Sequence, residues 1–91
     1  MMQIEYDSAK RGATIRDRGL DMADAGGVFE GDTITIEDER RDYGETRYIT
    51  VGFLAGRMVF VAWTPRDGSR RIISMRKANA REQELYIPRF R

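Results

Sequence analysis

The sequence predicts an α+β domain, ordered β-α-α-β-β-β-β-α around a mostly antiparallel sheet. Three observations predict it. Residues 33–76 hold β-branched and aromatic runs separated by tight-turn signals, as a meander requires. Two capped segments with helical spacing precede that run. After it, Asn79-Ala-Arg-Glu82 has the spacing of a capping box. A chain of 91 residues is one small domain's worth, so residues 1–91 are expected to fold as a single unit with a thin core.

Gln3 to Tyr6 alternates and reads as an edge strand. Asp7 or Ser8 caps a helix running to about Arg18, where Gly19 supplies a left-handed stop. Only Ala9, Ala13 and Ile15 of that helix are suited to face inward, so it is expected to lie shallowly on the surface. Asp21 starts a second helix with Met22, Ala25 and Phe29 as its buried stripe, ended by Gly31-Asp32. Gly26 and Gly27 weaken it by roughly 1 kcal/mol each relative to alanine.

Thr33 to Ile36 opens the meander, and a loop of acids and bases, Glu37 to Thr46, follows. Arg47 to Leu54 and Arg57 to Thr64 are expected strands, joined at Ala55-Gly56 with hairpin spacing. Pro65-Arg66-Asp67-Gly68 reads as a turn, and Arg70 to Arg76 as the last strand. A short helix from Asn79 ends at Pro88. The strand from Arg57 is apolar on both faces, so it should be central and covered on both sides. Simple alternation along the last strand groups Arg71 with Ile73 and Met75, and sets Arg70, Ile72, Ser74 and Arg76 opposite. Three arginines in a strand beside the core are unusual.

The composition excludes several chemistries. There is no cysteine, hence no disulfide framework and no thiolate metal site. There is no histidine, hence no serine–histidine triad and no imidazole acid–base pair. No metal site and no cofactor is expected. The chain lacks an apolar run near 18 residues and a signal-peptide core, so a soluble, cytoplasmic protein without membrane contact is expected.

The net charge of +1 conceals an asymmetry. Residues 1–46 hold 6 Lys/Arg against 12 Asp/Glu, a balance of −6; residues 47–91 hold 10 against 3, a balance of +7. Nearly all the positive charge is arginine, whose planar fork grips phosphate bidentately. Such a split fits a polyanion-binding face, or equally two halves that pair with each other.

Four groups of residues carry candidate chemistry. Arg70, Arg71, Arg76 and Lys77 are placed for phosphate capture, or for ion pairs on a solvated sheet face. Lys10 lies within two helical turns of Tyr6, so the two can converge on one substrate; with Arg16 and Arg18 they otherwise form an ordinary charged helix surface. Glu45, beside Arg47, is a candidate proton acceptor or a structural ion-pair partner. Glu37, Asp38, Glu39 and Asp42 lack the spacing of a calcium loop and read as solvated or partner-facing. Trp63 reads as a core residue, while Tyr43 and Tyr48 suit base stacking and packing equally.

Several of these stretches resemble the BrnT family, the ribonuclease toxins of bacterial type II toxin–antitoxin pairs. The matching residues are Asp42-Tyr-Gly-Glu-Thr-Arg47, Val51-Gly52, Gly56-Arg57, Trp63-Thr-Pro-Arg66 and Arg71-Ile-Ile-Ser-Met-Arg-Lys-Ala78. Ile4-Glu-Tyr-Asp7, Ala9-Lys10 and Val28-Phe29 fall in the right order, so the resemblance spans about residues 3–86. It implies a fold similar to the RelE-type microbial ribonucleases, with helices on a curved antiparallel sheet. It also implies metal-independent RNA cleavage by attack of the substrate 2′-OH on the adjacent phosphate. The implied partner is a cognate antitoxin with a dimeric DNA-binding domain, through which alone the toxin would meet DNA.

The family's motif residues map to Tyr6, Lys10, Arg71 and Arg76. Where the family commonly has Lys-His-Gly, this chain has Asp17-Arg18-Gly19; Tyr6-Asp7 stands for Trp-Asp, and Thr14 for an asparagine. Arg18 keeps the positive charge but, with a pKa above about 12, cannot shuttle a proton near neutrality. The expected catalytic set is Arg71 and Arg76 as the phosphate clamp, Lys10 or Glu45 as proton acceptor, and Tyr6 to orient the nucleophile or stack on a base. Arg18, Arg70, Lys77 and Arg47 are the expected further RNA contacts. The alternative is a catalytically weak or decayed toxin acting as an antitoxin-binding co-repressor or RNA-binding module.

Overall fold

In the computed structural model, which describes residues 3–91, Gln3–Glu5 (β1) leads into a helix at Ser8–Arg18 (α1). The Asp7 carboxylate accepts from the Lys10 amide at 2.9 Å and caps α1, and Gly19 closes it at φ 66°. The expected second helix divides. Met22–Asp24 is a single 3₁₀ turn capped by Asp21, and Ala25–Glu30 (α2) continues it. Arg11 forks onto Asp21 at 2.7 and 2.9 Å, tying α1 to that cap.

The meander follows as Ile34–Glu37 (β2), Tyr48–Leu54 (β3), Arg57–Arg66 (β4) and Ser69–Lys77 (β5), then Ala80–Tyr86 (α3) and a 3₁₀ turn at Ile87–Phe90. The result is a compact α+β domain with three helices and a five-stranded mixed sheet. Strand order is β1-β5-β4-β3-β2, with β1 parallel to β5 and the other neighbours antiparallel. β4 is central and β5 lies inside the sheet along Ser69–Arg71, as the sequence pattern required.

Several strand boundaries differ from the sequence reading: β1 stops at Glu5, and β2 runs Ile34–Glu37 rather than Thr33–Ile36. β3 begins at Tyr48 rather than Arg47. Pro65 and Arg66 belong to β4, because the β4–β5 turn is only Asp67-Gly68, with φ of 50° and 81°. Two successive positive φ values are the type I′ pattern, whose twist lets the strands run up to the turn. β5 is correspondingly longer, from Ser69 to Lys77.

The largest difference is the facing of β5. Its register with β4 slips between Ala62 and Trp63, so that Ser74 pairs with Ala62, Ile72 with Trp63, and Ile73 is the extra residue of a bulge. Directly paired residues share a face. Ile72 and Met75 therefore both enter the main core with Val59, Val61 and Trp63. Arg71, Ser74 and Arg76 lie together on the opposite face, beside Thr64, Ala62 and Phe60. The alternation expected from sequence is corrected by this one residue.

Leu20, Met22, Ala25 and Val28 cover the first face, which is the helical side of the sheet. The approach is close: a Cβ on Gly52 of β3 would stand 2.7 Å from Val28 Cγ1, so glycine is what lets α2 reach the sheet. On the second face, α3 and the last 3₁₀ turn cover one end, with Tyr86 edge-on to Phe60 at 5.5 Å and Phe90 edge-on to Phe53 at 5.1 Å. The remainder of that face is open and carries the arginines.

Candidate functional site

The open face is organised by β5. Arg71 pairs with Glu5 on β1 and Thr64 on β4, and its Nη1 lies 3.9 Å from Glu5 Oε1. Asp7, the N-cap of α1, has its pKa lowered chiefly by the Lys10 amide from which it accepts, with the charges of Arg71 and Lys10 adding to the effect. Glu5, Asp7, Lys10 and Arg71 are thus gathered at the junction of β1 and α1. The Tyr6 ring packs against the main core, with the Arg11 guanidinium 5.8 Å from its centre.

Beyond Arg71, the outer edge of β5 has no strand partner among the described residues. α1 lies along that stretch, and Arg18 Nη1 donates to the Met75 carbonyl at 2.7 Å. Lys10, Thr14 and Arg18 recur every four residues on one helix face. With Ile73 and Ser74 they line a cavity of about 200 Å³. Ser74 belongs to both the cavity and the open face, so Lys10 and Arg18 approach that face from its edge. Arg18 is therefore also structural: it supplies a donor to a strand carbonyl that has no neighbour.

Arg76 occupies the other end of the strand. Its guanidinium lies over Phe60, 4.5 Å from the ring centre, and forks onto Glu82 of α3 at 2.8 and 2.7 Å. The fork raises the pKa of Arg76 and holds the Glu82 carboxyl down at about 2. Arg40 is near enough for its charge to oppose that of Arg76. As the structure stands, Arg71 and Arg76 share a face but do not converge, since each is drawn to a different carboxylate.

Glu45 sits at the Arg71 end. It accepts from Arg47 Nε at 3.0 Å and lies 3.6 Å from Arg66 Nη2. Its neighbour Thr46 accepts from the Thr64 hydroxyl at 2.7 Å, which places the loop beside the residue paired with Arg71. Arg47 lies over the Tyr43 ring at 4.1 Å. Of the four acids read from sequence as solvated or partner-facing, Glu37, Glu39 and Asp42 are exposed and only Asp38 departs. Asp38 is 8% exposed and takes bonds from Arg40 and the Tyr43 hydroxyl, and Arg40, above all, pulls its pKa far below the usual carboxylate range.

Arg70 and Lys77 are not brought to this site. Arg70 faces the helical side, its guanidinium 4.1 Å from the Phe29 ring centre and 5.1 Å from that of Trp63, with Nε buried and unpartnered. Lys77 pairs with Val59 and lines a separate cavity with Ile15, Leu20 and Leu54. Trp63 is core, as read, and Tyr48 stacks on it at 5.0 Å. Sequence reasoning missed Ser74, Phe60 and Glu82. From sequence Glu82 reads only as the acid of the capping box, which it also completes.

The arrangement is suited to a polyanion. Permanently charged guanidinium groups are spaced along one strand, hydroxyls lie between and beside them, and an ionised carboxylate stands at one end. The model of a protein family described as ribonuclease toxin, BrnT, of type II toxin–antitoxin system matches residues 6–82. No curated protein matches the chain.

Proposed function

The chain belongs to the BrnT family of ribonuclease toxins of type II toxin–antitoxin systems, and from that premise we propose that it is an endoribonuclease whose active face is the open side of the sheet. The bulge at Ile73 supports this most directly. Residues five apart on a regular strand point to opposite sides, whereas here Arg71 and Arg76 are turned to the same side with Ser74 between them. A bulge next to an active site commonly re-aims a side chain in this way.

In this reading the RNA lies along β5. Arg71 grips the scissile phosphate and stabilises the charge that builds on its oxygens. Arg76 releases Glu82 to bind the backbone further along. The 2′-oxygen attacks phosphorus, its proton passing to Lys10 or Glu45, and the P–O5′ bond breaks as the leaving oxygen takes a proton from solvent water. The products are a 2′,3′-cyclic phosphate and a free 5′-hydroxyl. Tyr6 orients the nucleophile or stacks on a base, while Arg18 and Arg47 add contacts to the strand. Arg70 and Lys77, on the helical side, are left for outlying phosphates.

The reaction needs no metal in this mechanism, and the kinship with RelE-type ribonucleases belongs to the same proposal. So does the cytoplasmic setting; no helix among the described residues is long and apolar enough to cross a membrane. The partner is an antitoxin that carries a dimeric DNA-binding domain and brings the toxin to DNA. One observation favours the second reading, of a weakened toxin kept as a co-repressor: Arg18, at the position where the family commonly has histidine, is bound to the Met75 carbonyl.

Purified protein incubated with short single-stranded RNA in EDTA decides between them. Fragments ending in 2′,3′-cyclic phosphate, with growth arrest on induction alone, are expected. Intact RNA and unaffected growth would overturn the enzymatic reading.

A further inference from the structure

β2 ends the sheet, and it is poorly defended. It pairs only with β3, so alternate N–H and C=O groups along Ile34–Glu37 have no strand partner on the outer side among the described residues. The other free edges are protected: β1 is three residues long, and the exposed stretch of β5 is covered by α1 and bonded by Arg18. β2 has none of the usual guards. It contains no lysine, proline or bulge, three of its four residues are β-branched, and Ile36 is 45% exposed beside Ile49.

Its flanks carry one sign of charge. Glu30 and Asp32 precede the strand, Glu37 ends it and Glu39 follows, all exposed and none in an ion pair among the described residues. The next cation along the chain, Arg40, is committed to Asp38 at 2.8 Å. Two copies joined through this edge would bring two acidic fringes together. A basic strand would neutralise one.

We propose that the outer edge of β2 is the docking site of the antitoxin, which adds an extended segment of alternating apolar and basic residues as a sixth strand. Backbone bonds along Ile34–Glu37 supply affinity, Ile34 and Ile36 receive the apolar positions, and the acidic fringe selects the basic ones. The proposal rests on the toxin–antitoxin reading; Ile34 and Ile36 share the open face with the arginines but stand at its far edge, with β3 and β4 between them and β5.

The test uses the intact toxin co-expressed with the product of the neighbouring reading frame. Hydrogen exchange of the purified complex should show new protection at the Ile34–Glu37 amides. The variant carrying Glu37→Lys and Glu39→Lys, neither of which points to the open face from the sheet, should melt like the parent, cleave RNA like the parent, and bind the partner at least tenfold more weakly. A complex that forms with β2 unprotected and affinity unchanged in the variant overturns the docking site and leaves the ribonuclease reading standing. A dimer of the toxin alone, protected at β2, overturns the basic partner as occupant. Failure of the two proteins to associate overturns the proposal, while RNA cleavage by the free toxin still reports on the enzyme.

Discussion

Arg76 and Glu82 meet fork to fork, Nη1 on Oε1 at 2.8 Å and Nη2 on Oε2 at 2.7 Å, the geometry a guanidinium adopts on a phosphate. Glu82 therefore occupies the donors that a bound RNA backbone would use. Glu82→Gln keeps the N3 side chain of the capping box, in which Oε1 accepts from the Asn79 amide at 2.9 Å, but removes the competing charge. Single-stranded RNA should bind several-fold more tightly to this variant. Its salt dependence should steepen by about 0.7 for the one additional phosphate engaged. Fluorescence anisotropy over a salt series measures both, and weaker binding would assign Glu82 the role of holding Arg76 in place for RNA.

The same contact sets an acid limit on the fold. Glu82 and Asp21 each titrate at about 2, held down by Arg76 and Arg11 respectively. Carboxylates with depressed folded-state pKa values bind protons more readily in the unfolded chain. Their stabilisation is complete above the ordinary carboxylate range and is lost as pH falls through it towards 2. Melting temperature should be flat from pH 7 to about 5.5 and decline below about 4.5. Glu82→Gln and Asp21→Asn should each make that decline shallower, which thermal melts at pH 3, 4 and 7 will show.

What the sequence made legible was local. Hairpin turns, helix caps and the apolar run of β4 each depend on residues close in the chain, and Trp63 reads as core from its own strand. The bulge at Ile73 does not. It arises where the register set by the Asp67-Gly68 turn meets the need to bury both Ile72 and Met75, three residues apart. Strict alternation therefore misplaces Ser74, Met75 and Arg76 relative to Arg71. Asp38 was misread for a similar reason: its burial follows from the loop folding back, with its amide bonded to the Arg47 carbonyl at 2.8 Å.

A buried hydroxyl network gives a stability prediction independent of function. Thr50 is fully buried, accepts from Trp63 Nε1 at 2.8 Å and shares a bond with Thr35 Oγ1 at 2.8 Å. Thr50→Val preserves shape but leaves the indole N–H without its acceptor, at a cost of about 1–3 kcal/mol. For a domain of this size each kcal/mol lowers the melting temperature by roughly 4–8 °C. Thr50→Ser keeps the acceptor and should fall less. Equal losses in the two variants would make packing of the Thr50 methyl, and not the indole bond, the source.

The proposed division of labour along β5 separates Arg71 from Arg76 kinetically. Arg71 stands beside Lys10 and the Glu45 loop, so its loss should act on the chemical step. Arg71→Ala should reduce kcat by about 10²–10³, the range seen when one donor to a developing oxyanion is removed. Lys10→Ala should reduce it by about 10²–10⁴ if the amine takes the 2′ proton. Arg76→Ala removes a contact remote from that end and should mainly raise KM, with kcat little changed. Single-turnover cleavage of a labelled RNA, with folding checked by melting, resolves the three. A large kcat loss in Arg76→Ala with Arg71→Ala near parental would move the scissile phosphate to the α3 end of the strand.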